Sequence, residues 1–392
     1  MRCRVPFVFA RSAAALAILA LGAAGPAAAQ DAESPLARAV RSGDQATVGA
    51  LLDGGADPTE ADADGDTPLH YAARYAHPDL VRLLAQQGAA LDARGRSGMT
   101  PLMQAAAWSG DSAEAARALV EAGADVSATA DDGRTALHYA AAFDAPAVAR
   151  VLLDAGADPD ADAEGEYSRS GTPLFWAFSG GVEASVAPLL LEAGADPLAD
   201  SPAGVPVVAV AARDGHLGLV LPILEARPET RLPAMVGLAA ERGDAAGVGA
   251  LLALGLPPDA ERGFGQTPLV DATILPGDWV VETMGEAYDP AGVLRALLDA
   301  GADPDLRGTA SGLSAPTPLQ NAAWEGRADL VALLLDAGAD PAATATVFDE
   351  EAGAPRTALE LARYRLDGLA TEDSYGPRPD ARDLLAVIAL LD

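Results

Sequence analysis

A short run of residues returns along the chain at a nearly fixed interval. Its clearest copy is Thr67-Pro68-Leu69-His70, followed by Ala72-Ala73 and, near the end of the unit, by Gly88. The next copy begins at Thr100, a step of 33 residues. A fixed period of this length predicts a solenoid in which each unit stacks only on its neighbours. Such a chain offers a long binding surface and has no inherent catalytic pocket.

The residue types within one unit predict two short helices. Thr67 can cap the first helix through its hydroxyl, and Pro68 suits the first helical position, where a missing N–H costs nothing. Residues 79–87 carry leucine and valine at helical spacing and predict the second helix. Gly88 is placed to end that helix in the left-handed conformation. The Asp- and Gly-rich stretches between units are typical of turns.

The T-P-L-H sequence, the paired alanines and the 33-residue period resemble the ankyrin repeat family. The resemblance covers nearly all of the chain after residue 33. It implies an all-α ankyrin-repeat solenoid of about ten helix–turn–helix units with short β-hairpin or turn connections. The units begin near Ser34, Thr67, Thr100, Thr135, Thr172, Pro206, Ala234, Thr267, Thr317 and Thr357.

We expect one solenoid domain over residues 30–392, because interactions in such a fold run between adjacent repeats. The Thr267 unit has the largest insertion, since 34 residues separate Thr267 from Gly301, against 21 from Thr67 to Gly88. The expected parts are an N-terminal cap (34–66), regular repeats (67–204), irregular repeats (205–266), repeats with insertions (267–356) and a C-terminal cap (357–392).

The first 29 residues have the pattern of a secretory signal peptide. A basic start with three arginines precedes an apolar stretch over residues 12–24, and Ala27-Ala28-Ala29 forms a small-residue cleavage site. The alternative is an uncleaved anchor, although the apolar stretch is short for a membrane span. The only cysteine, Cys3, lies in this segment, so no disulfide is available to the mature chain. We expect a periplasmic protein, with release from the cell as the alternative.

The chain is strongly acidic, with 57 Asp and Glu against 26 basic residues, which are all arginine. Removing residues 1–29 takes three arginines and no acids, so the net charge of −31 becomes −34. Such a protein should be repelled by nucleic acid and by anionic membranes. The simplest interpretation of the acids is a solvated surface, because many occupy turn positions.

Three aromatic residues recur in register on the first helices. Tyr75, Trp108 and Phe143 each stand eight residues after the motif threonine, so stacked units should bring them into one column on the concave face. Hairpin arginines, chiefly Arg96 and Arg134, would lie nearby. Aromatic residues and arginine on an exposed face are typical of a protein-binding hot spot. The alternative is that the rings fill the seams between repeats.

Two further tryptophans are candidates for the same role. Trp324 stands seven residues after Thr317 and could extend the surface, and Trp279 lies in the large insertion, where long loops often carry function. Tyr71, Tyr139 and Trp176 stand four residues after the threonine and are expected in the core.

The histidines and the acidic runs do not predict a metal site. His70 and His138 occupy the T-P-L-H position, which the family resemblance assigns to backbone hydrogen bonds between repeats. Residues 60–65 and 160–165 resemble the start of a calcium loop, but Tyr71 and Gly171 stand where a bidentate glutamate is needed. We therefore expect no bound metal and no cofactor.

The sequence contains no catalytic motif that we can recognise, so we expect a non-catalytic scaffold. It would be a monomer of the cell envelope that binds a protein partner, such as an exported enzyme that it protects or inhibits. It would bind no nucleic acid and would not insert into a membrane. Two alternatives stay open. One is a calcium-responsive envelope protein, and the other is an enzyme whose site lies near Asp271, Asp278, Glu282 and Glu286.

Overall fold

In the computed structural model, the described residues are 34–108, 113–165, 168–169, 171–180, 184–202, 204–262, 266–274, 288–308, 315–345, 355–368 and 379–392. These residues form twenty α-helices in ten successive pairs, which confirms the predicted all-α architecture. The first helices of the pairs are α1 (Pro35–Arg41), α3 (Pro68–Arg74), α5 (Pro101–Trp108), α7 (Ala136–Ala142), α9 (Pro173–Gly180), α11 (Val207–Asp214), α13 (Ala234–Glu241), α15 (Pro268–Thr273), α17 (Pro318–Trp324) and α19 (Ala358–Gly368). The second helices are α2 (Gln45–Asp53), α4 (Pro78–Gln86), α6 (Ala113–Ala122), α8 (Pro146–Asp154), α10 (Ala187–Glu192), α12 (Leu217–Ala226), α14 (Ala245–Ala253), α16 (Pro290–Asp299), α18 (Ala328–Asp336) and α20 (Ala381–Leu391).

The threonine and proline of the motif begin the first helices as predicted. Thr67, Thr267 and Thr317 are extended N-cap residues, and a proline follows each at the first helical position. The second helix of the Thr67 unit covers Pro78–Gln86, and Gly88 after it has a φ of 85°. Helices this short are marginal on their own, so packing must supply most of their stability.

A buried histidine ties each T-P-L-H helix to the next repeat. The backbone N–H of Thr135 donates to Nδ1 of His138 over 3.1 Å, so the neutral ring must carry its proton on Nε2. That nitrogen lies 3.0 Å from the carbonyl oxygen of Gly171 and donates to it. His70 makes the equivalent bonds to Thr67 and to the carbonyl of Met99. The predicted structural role of both histidines is confirmed.

Other side chains take the histidine position in later units and make similar bonds. Oε1 of Gln320 accepts from the N–H of Thr317 over 2.8 Å, and its Nε2 donates to the carbonyls of Ala343 and Arg356. In the last unit, a carboxylate oxygen of Glu360 accepts from the N–H of its motif threonine over 2.8 Å. The hydrogen bond to the start of the helix is therefore retained where glutamine or glutamate replaces histidine in the Thr317 and Thr357 units.

The helices group into two compact units, Met1–Val210 and Ala211–Asp392. In the first unit, α3 packs against α5, α5 against α7 and α7 against α9, while α4 packs against α6 and α6 against α8. In the second unit, α13 packs against α15 and α17 against α19, while α14 packs against α16 and α18 against α20. The paired alanines Ala72-Ala73 and Ala322-Ala323 are fully buried, which lets adjacent helices approach closely.

Aspartates of the G-A-D turns link neighbouring repeats. The carboxylate of Asp125 accepts from the N–H of Ser127, while its own backbone N–H donates to Oδ1 of Asp92 over 2.9 Å. The same arrangement joins Asp340 to Asp305 over 2.9 Å. Hydrogen bonding by Ser127 lowers the pKa of Asp125. Part of the acidic composition thus serves as acceptors for backbone groups at exposed turns.

We predict that His138→Gln removes part of the protein's sensitivity to acid. Burial lowers the pKa of His138 to about 4, from an unfolded value of 6.5. Because the unfolded state binds the extra proton first, this residue stabilises the fold above pH 6.5, and that stability is lost as the pH falls towards 4. The loss should be roughly 2 to 3 kcal/mol. Gln320 shows that glutamine can make the equivalent bonds without titrating.

The test is urea unfolding of wild type and His138→Gln between pH 7 and pH 4. The variant should lose less free energy of unfolding over this range than wild type does. His77→Gln provides the control, since the His77 ring is only half-buried, lying against Gly43 with Nε2 at 3.3 Å from the carbonyl oxygen of Arg41. Parallel pH profiles for wild type and His138→Gln would contradict the assignment.

Candidate protein-binding surface

The three predicted aromatic residues stand at the C-terminal ends of consecutive first helices. Tyr75 follows α3, Trp108 ends α5 and Phe143 follows α7. Because α3 packs on α5 and α5 on α7, these helix ends follow one another along one edge of the first unit. Tyr75 is 45% exposed, and Trp108 and Phe143 are half-buried. All three rings therefore have surface that a partner can reach.

The turn after each helix fixes where the ring is presented. Tyr75 and Phe143 are C-cap residues, and each is followed by a non-glycine residue in the left-handed region, Ala76 with φ of 54° and Asp144 with φ of 50°. Residues other than glycine adopt this conformation at an energetic cost, so packing must hold these turns in place. The carboxylate of Asp144 helps to do so by accepting from the N–H of Val186 over 3.1 Å.

Arg74 belongs to this surface but was not predicted from the sequence. Its guanidinium carbon lies 5.0 Å from the centre of the Trp108 ring and 5.4 Å from that of Tyr71. The same guanidinium forms an ion pair with the buried Asp66. Arg74 stands seven residues after its motif threonine, as Trp324 does. Its place on this surface could therefore have been predicted from its position in the repeat. Arg74 holds the Trp108 ring against the preceding repeat.

The predicted arginines are engaged by their own chain. Arg96 forms an ion pair with Asp64, and this hydrogen bond is the main cause that raises the pKa of the arginine. Arg134 lies 3.5 Å from Asp132 and covers the Trp176 ring at 3.8 Å. The side chain of Arg134 is only 13% exposed. These arginines fix the hairpins, and Arg96 keeps a partly exposed edge.

The remaining aromatic predictions have different outcomes. Tyr71 and Tyr139 are buried, as expected for core residues, whereas Trp176 is half-buried beneath Arg134. Trp324 lies in the second unit and stacks on Tyr364 at 6.4 Å between ring centres. Trp279 lies outside the described residues, as do Asp278, Glu282 and Glu286.

A buried ionic cluster in the second unit involves Asp271, the described member of the predicted alternative catalytic set. Asp271 is 1% exposed, and its Oδ1 accepts from Arg262 over 2.7 Å. Arg262 also pairs with Glu241 at 2.8 Å. Burial raises the pKa of Asp271 to about 7, although Arg262 acts in the opposite direction. Burial alone would lower the pKa of Arg262, but Asp271 and Glu241 raise it.

The cluster is tightly packed rather than open to a substrate. A Cβ placed on Gly237 of α13 would lie 2.7 Å from Oδ2 of Asp271. Asp271 stands at the position that holds tyrosine in the Thr67 and Thr135 units. Arg262, in the hairpin before α15, therefore links Asp271 of α15 to Glu241 of α13, which is a structural role.

An acidic cleft lies between hairpins of the first unit. Its volume is about 290 Å³, and it is lined by Asp160, Asp162, Gly171, Thr172, Asp196, Ala199 and Asp200. One carboxylate oxygen of Asp160 already accepts from the N–H of Asp196 over 2.7 Å. In the other acidic run, Asp62 accepts from two backbone N–H groups and from the Tyr71 hydroxyl. Among the described residues, no group of three or more His, Cys, Asp or Glu is arranged to hold a metal ion.

Comparison with known proteins identifies the class. The sequence family of ankyrin repeats (3 copies) matches residues 36–130 and 106–201, and the single ankyrin repeat matches residues 317–345. No curated protein matches the chain. With ten helix pairs packed as ankyrin repeats, the chain belongs to the ankyrin-repeat family. Ankyrin-repeat proteins are typically non-catalytic binding scaffolds, and their repeats suggest protein–protein interaction.

We predict that Gly237→Ala destabilises the protein, whereas Gly249→Ala does not. A methyl group at position 237 would be forced against Oδ2 of Asp271, which should cost about 1 to 3 kcal/mol. Gly249, in helix α14, has no heavy atom within 4 Å of an added Cβ. Alanine there should stabilise the helix by up to about 1 kcal/mol. Urea unfolding measures both changes, and equal effects of the two substitutions would contradict the packing around Asp271.

Proposed function

We propose that this protein is an exported scaffold that binds a protein partner through Tyr75, Trp108 and Phe143. The observation that carries the proposal is the placement of these rings at consecutive helix ends, with Tyr75 45% exposed. Exposed aromatic side chains beside arginine are the composition of an interface hot spot. We further propose that the partner is an exported enzyme that the scaffold protects or inhibits, by analogy with the general role of the family.

Rigid presentation supports binding at this surface. The turns after Tyr75 and Phe143 fix the backbone that presents these rings, and Arg74 lies against the Trp108 ring, so less freedom remains to be lost on association. Loss of freedom in interface side chains is one of the main costs of binding. A preformed surface therefore favours affinity over adaptability, and a single partner or a few closely related partners are expected.

The proposed location is the periplasm, after removal of residues 1–29. The basic start, the apolar stretch and the alanine-rich cleavage site support it. Across the described ranges, no helix has both the length and the apolar character needed to cross a membrane. The absence of lysine and the net charge of −31 favour a protein partner over nucleic acid. We expect the protein to act as a monomer.

The aromatic surface is tested by Tyr75→Ala, Trp108→Ala and Phe143→Ala combined. Crosslinking in intact cells followed by mass spectrometry identifies the partner, and its affinity is then measured with purified proteins. The triple variant should bind more than tenfold more weakly, which corresponds to about 1.4 kcal/mol or more. Because the rings are partly exposed, its melting temperature should fall by no more than about 4 °C.

Leu385→Ala with Leu390→Ala is the matched control, because it tests whether the loss of exposed apolar side chains elsewhere weakens binding of the partner. Both leucines lie on α20 and are 55% and 45% exposed. This double variant should bind the partner with wild-type affinity. If the aromatic triple variant also retains wild-type affinity, Tyr75, Trp108 and Phe143 are not the binding surface.

Export is tested separately by the N-terminus of the mature protein. Mass spectrometry of the protein purified from the periplasm should find Gln30 as the first residue. Ala27→Arg with Ala29→Arg should block cleavage, because the processing site requires small side chains. A mature protein that retains residues 1–29 would contradict the proposed signal peptide.

A further inference from the structure

The second unit carries a separate pair of surface aromatic rings. Trp324 ends α17 and Tyr364 lies in α19, and their rings stack with centres 6.4 Å apart and planes inclined by 22°. Tyr364 is 40% exposed. Each ring stands seven residues after its motif threonine, Thr317 or Thr357, so the packing of α19 on α17 aligns them. The pair is therefore built by the repeat register.

Two arginines cover these rings. The guanidinium carbon of Arg356 lies 3.8 Å from the centre of the Tyr364 ring, and that of Arg365 lies 4.6 Å from the centre of Trp324. The backbone of Arg356 is fixed, because its N–H donates to Ala345 and its carbonyl accepts from Nε2 of Gln320. A guanidinium stacked on a ring keeps its N–H donors in its own plane, where they can bond to an acceptor beside the ring.

The first unit shows what such a guanidinium binds. There, Arg74 lies over Trp108 and pairs with Asp66, and Arg134 lies over Trp176 and pairs with Asp132. In both cases the guanidinium lies over a ring and pairs with a carboxylate of the same chain, Arg74 through a hydrogen bond and Arg134 as an ion pair at 3.5 Å.

The described residues of the second unit do not supply that carboxylate. In the part of the chain that the structure describes, neither Arg356 nor Arg365 forms an ion pair, whereas Arg74 and Arg134 each do. Two nearby acids are already used, since Glu360 accepts from Thr357 and Asp392 pairs with Arg363. Over these described residues, the arrangement thus matches that of the first unit without its anionic member.

We propose that Trp324, Tyr364, Arg356 and Arg365 form a second binding surface, which takes an acidic segment of a partner protein. A glutamate or aspartate of the partner accepts from Arg356 and Arg365, and a neighbouring aromatic residue of the partner lies on the exposed side of Tyr364. This surface is independent of the Tyr75, Trp108 and Phe143 rings, and either can fail without the other.

The net charge of the chain makes the binding selective. A protein of net charge −31 repels acidic peptides in general, so an acidic ligand binds only where local cations and apolar contact exceed that repulsion. Charged groups more than about 8 Å apart are largely screened at physiological salt, whereas contacts at the arginines are not. Affinity should therefore be retained as salt rises to the physiological level.

The probe is a fluorescein-labelled peptide of alternating glutamate and phenylalanine, with binding measured by fluorescence anisotropy at physiological salt. Matched peptides carry glutamine in place of glutamate, or alanine in place of phenylalanine. Full-length mature protein should bind the glutamate–phenylalanine peptide at least about tenfold more tightly than either matched peptide. Equal binding of the glutamate and glutamine peptides overturns the proposal without any variant.

The variants locate the site. Arg356→Gln with Arg365→Gln should weaken binding of the peptide by about tenfold or more. Lysine in place of glutamine at position 356 should restore only part of this lost affinity, because an ammonium group lacks the planar edge of a stacked guanidinium. The control is Arg295→Gln, an exposed arginine of α16 in the same unit, which should leave binding unchanged. The Tyr75, Trp108 and Phe143 triple variant should also bind the peptide normally. Wild-type affinity in the arginine double variant would overturn the proposal.

Discussion

The units that begin at Thr67, Thr135 and Thr317 depend on one recurring hydrogen-bonded link, made by the side chain three residues after the motif threonine. In His70 and His138, one ring nitrogen accepts from the N–H that starts the helix and the other donates to a carbonyl of the following hairpin. Gln320 makes both bonds through its amide. Because helices of seven or eight residues have little stability alone, a buried bond that joins two repeats fixes both the helix start and the spacing of the stack.

Much of the fold was predictable because it repeats. Threonine capping, proline at the first helical position and glycine in the left-handed conformation act locally. The residues of each unit therefore predict that unit's helices. The side-chain links were less predictable. Arg74 on Trp108 and Arg356 on Tyr364 join residues about 34 and 8 positions apart, and composition alone does not show which arginine meets a ring and which meets a carboxylate. Arg74, Trp324 and Tyr364 each stand seven residues after a motif threonine, so this repeat position predicts a residue of the exposed surface.

The acidic composition has a structural use beyond solubility. Aspartates at the hairpins accept from backbone N–H groups of their own turn and of the next repeat, as Asp125 and Asp92 show. Others hold arginines against aromatic rings, as Asp66 holds Arg74. Several hairpin arginines, Arg94, Arg96 and Arg134, pair with carboxylates of the chain. This is why Arg356 and Arg365, which stack on rings but pair with no carboxylate among the described residues, stand apart. It is also why exposed rings rather than charge carry the proposed binding in the first unit.

Hydrogen exchange followed by mass spectrometry or NMR tests the link directly. If the bonds from His70, His138 and Gln320 hold the repeats together, the backbone amides of Thr67, Thr135 and Thr317 should exchange as slowly as amides in the middle of the neighbouring helices, although each lies at a helix end. Exchange of these three amides at the rate of exposed turn amides, such as that of Ser127, would contradict the account.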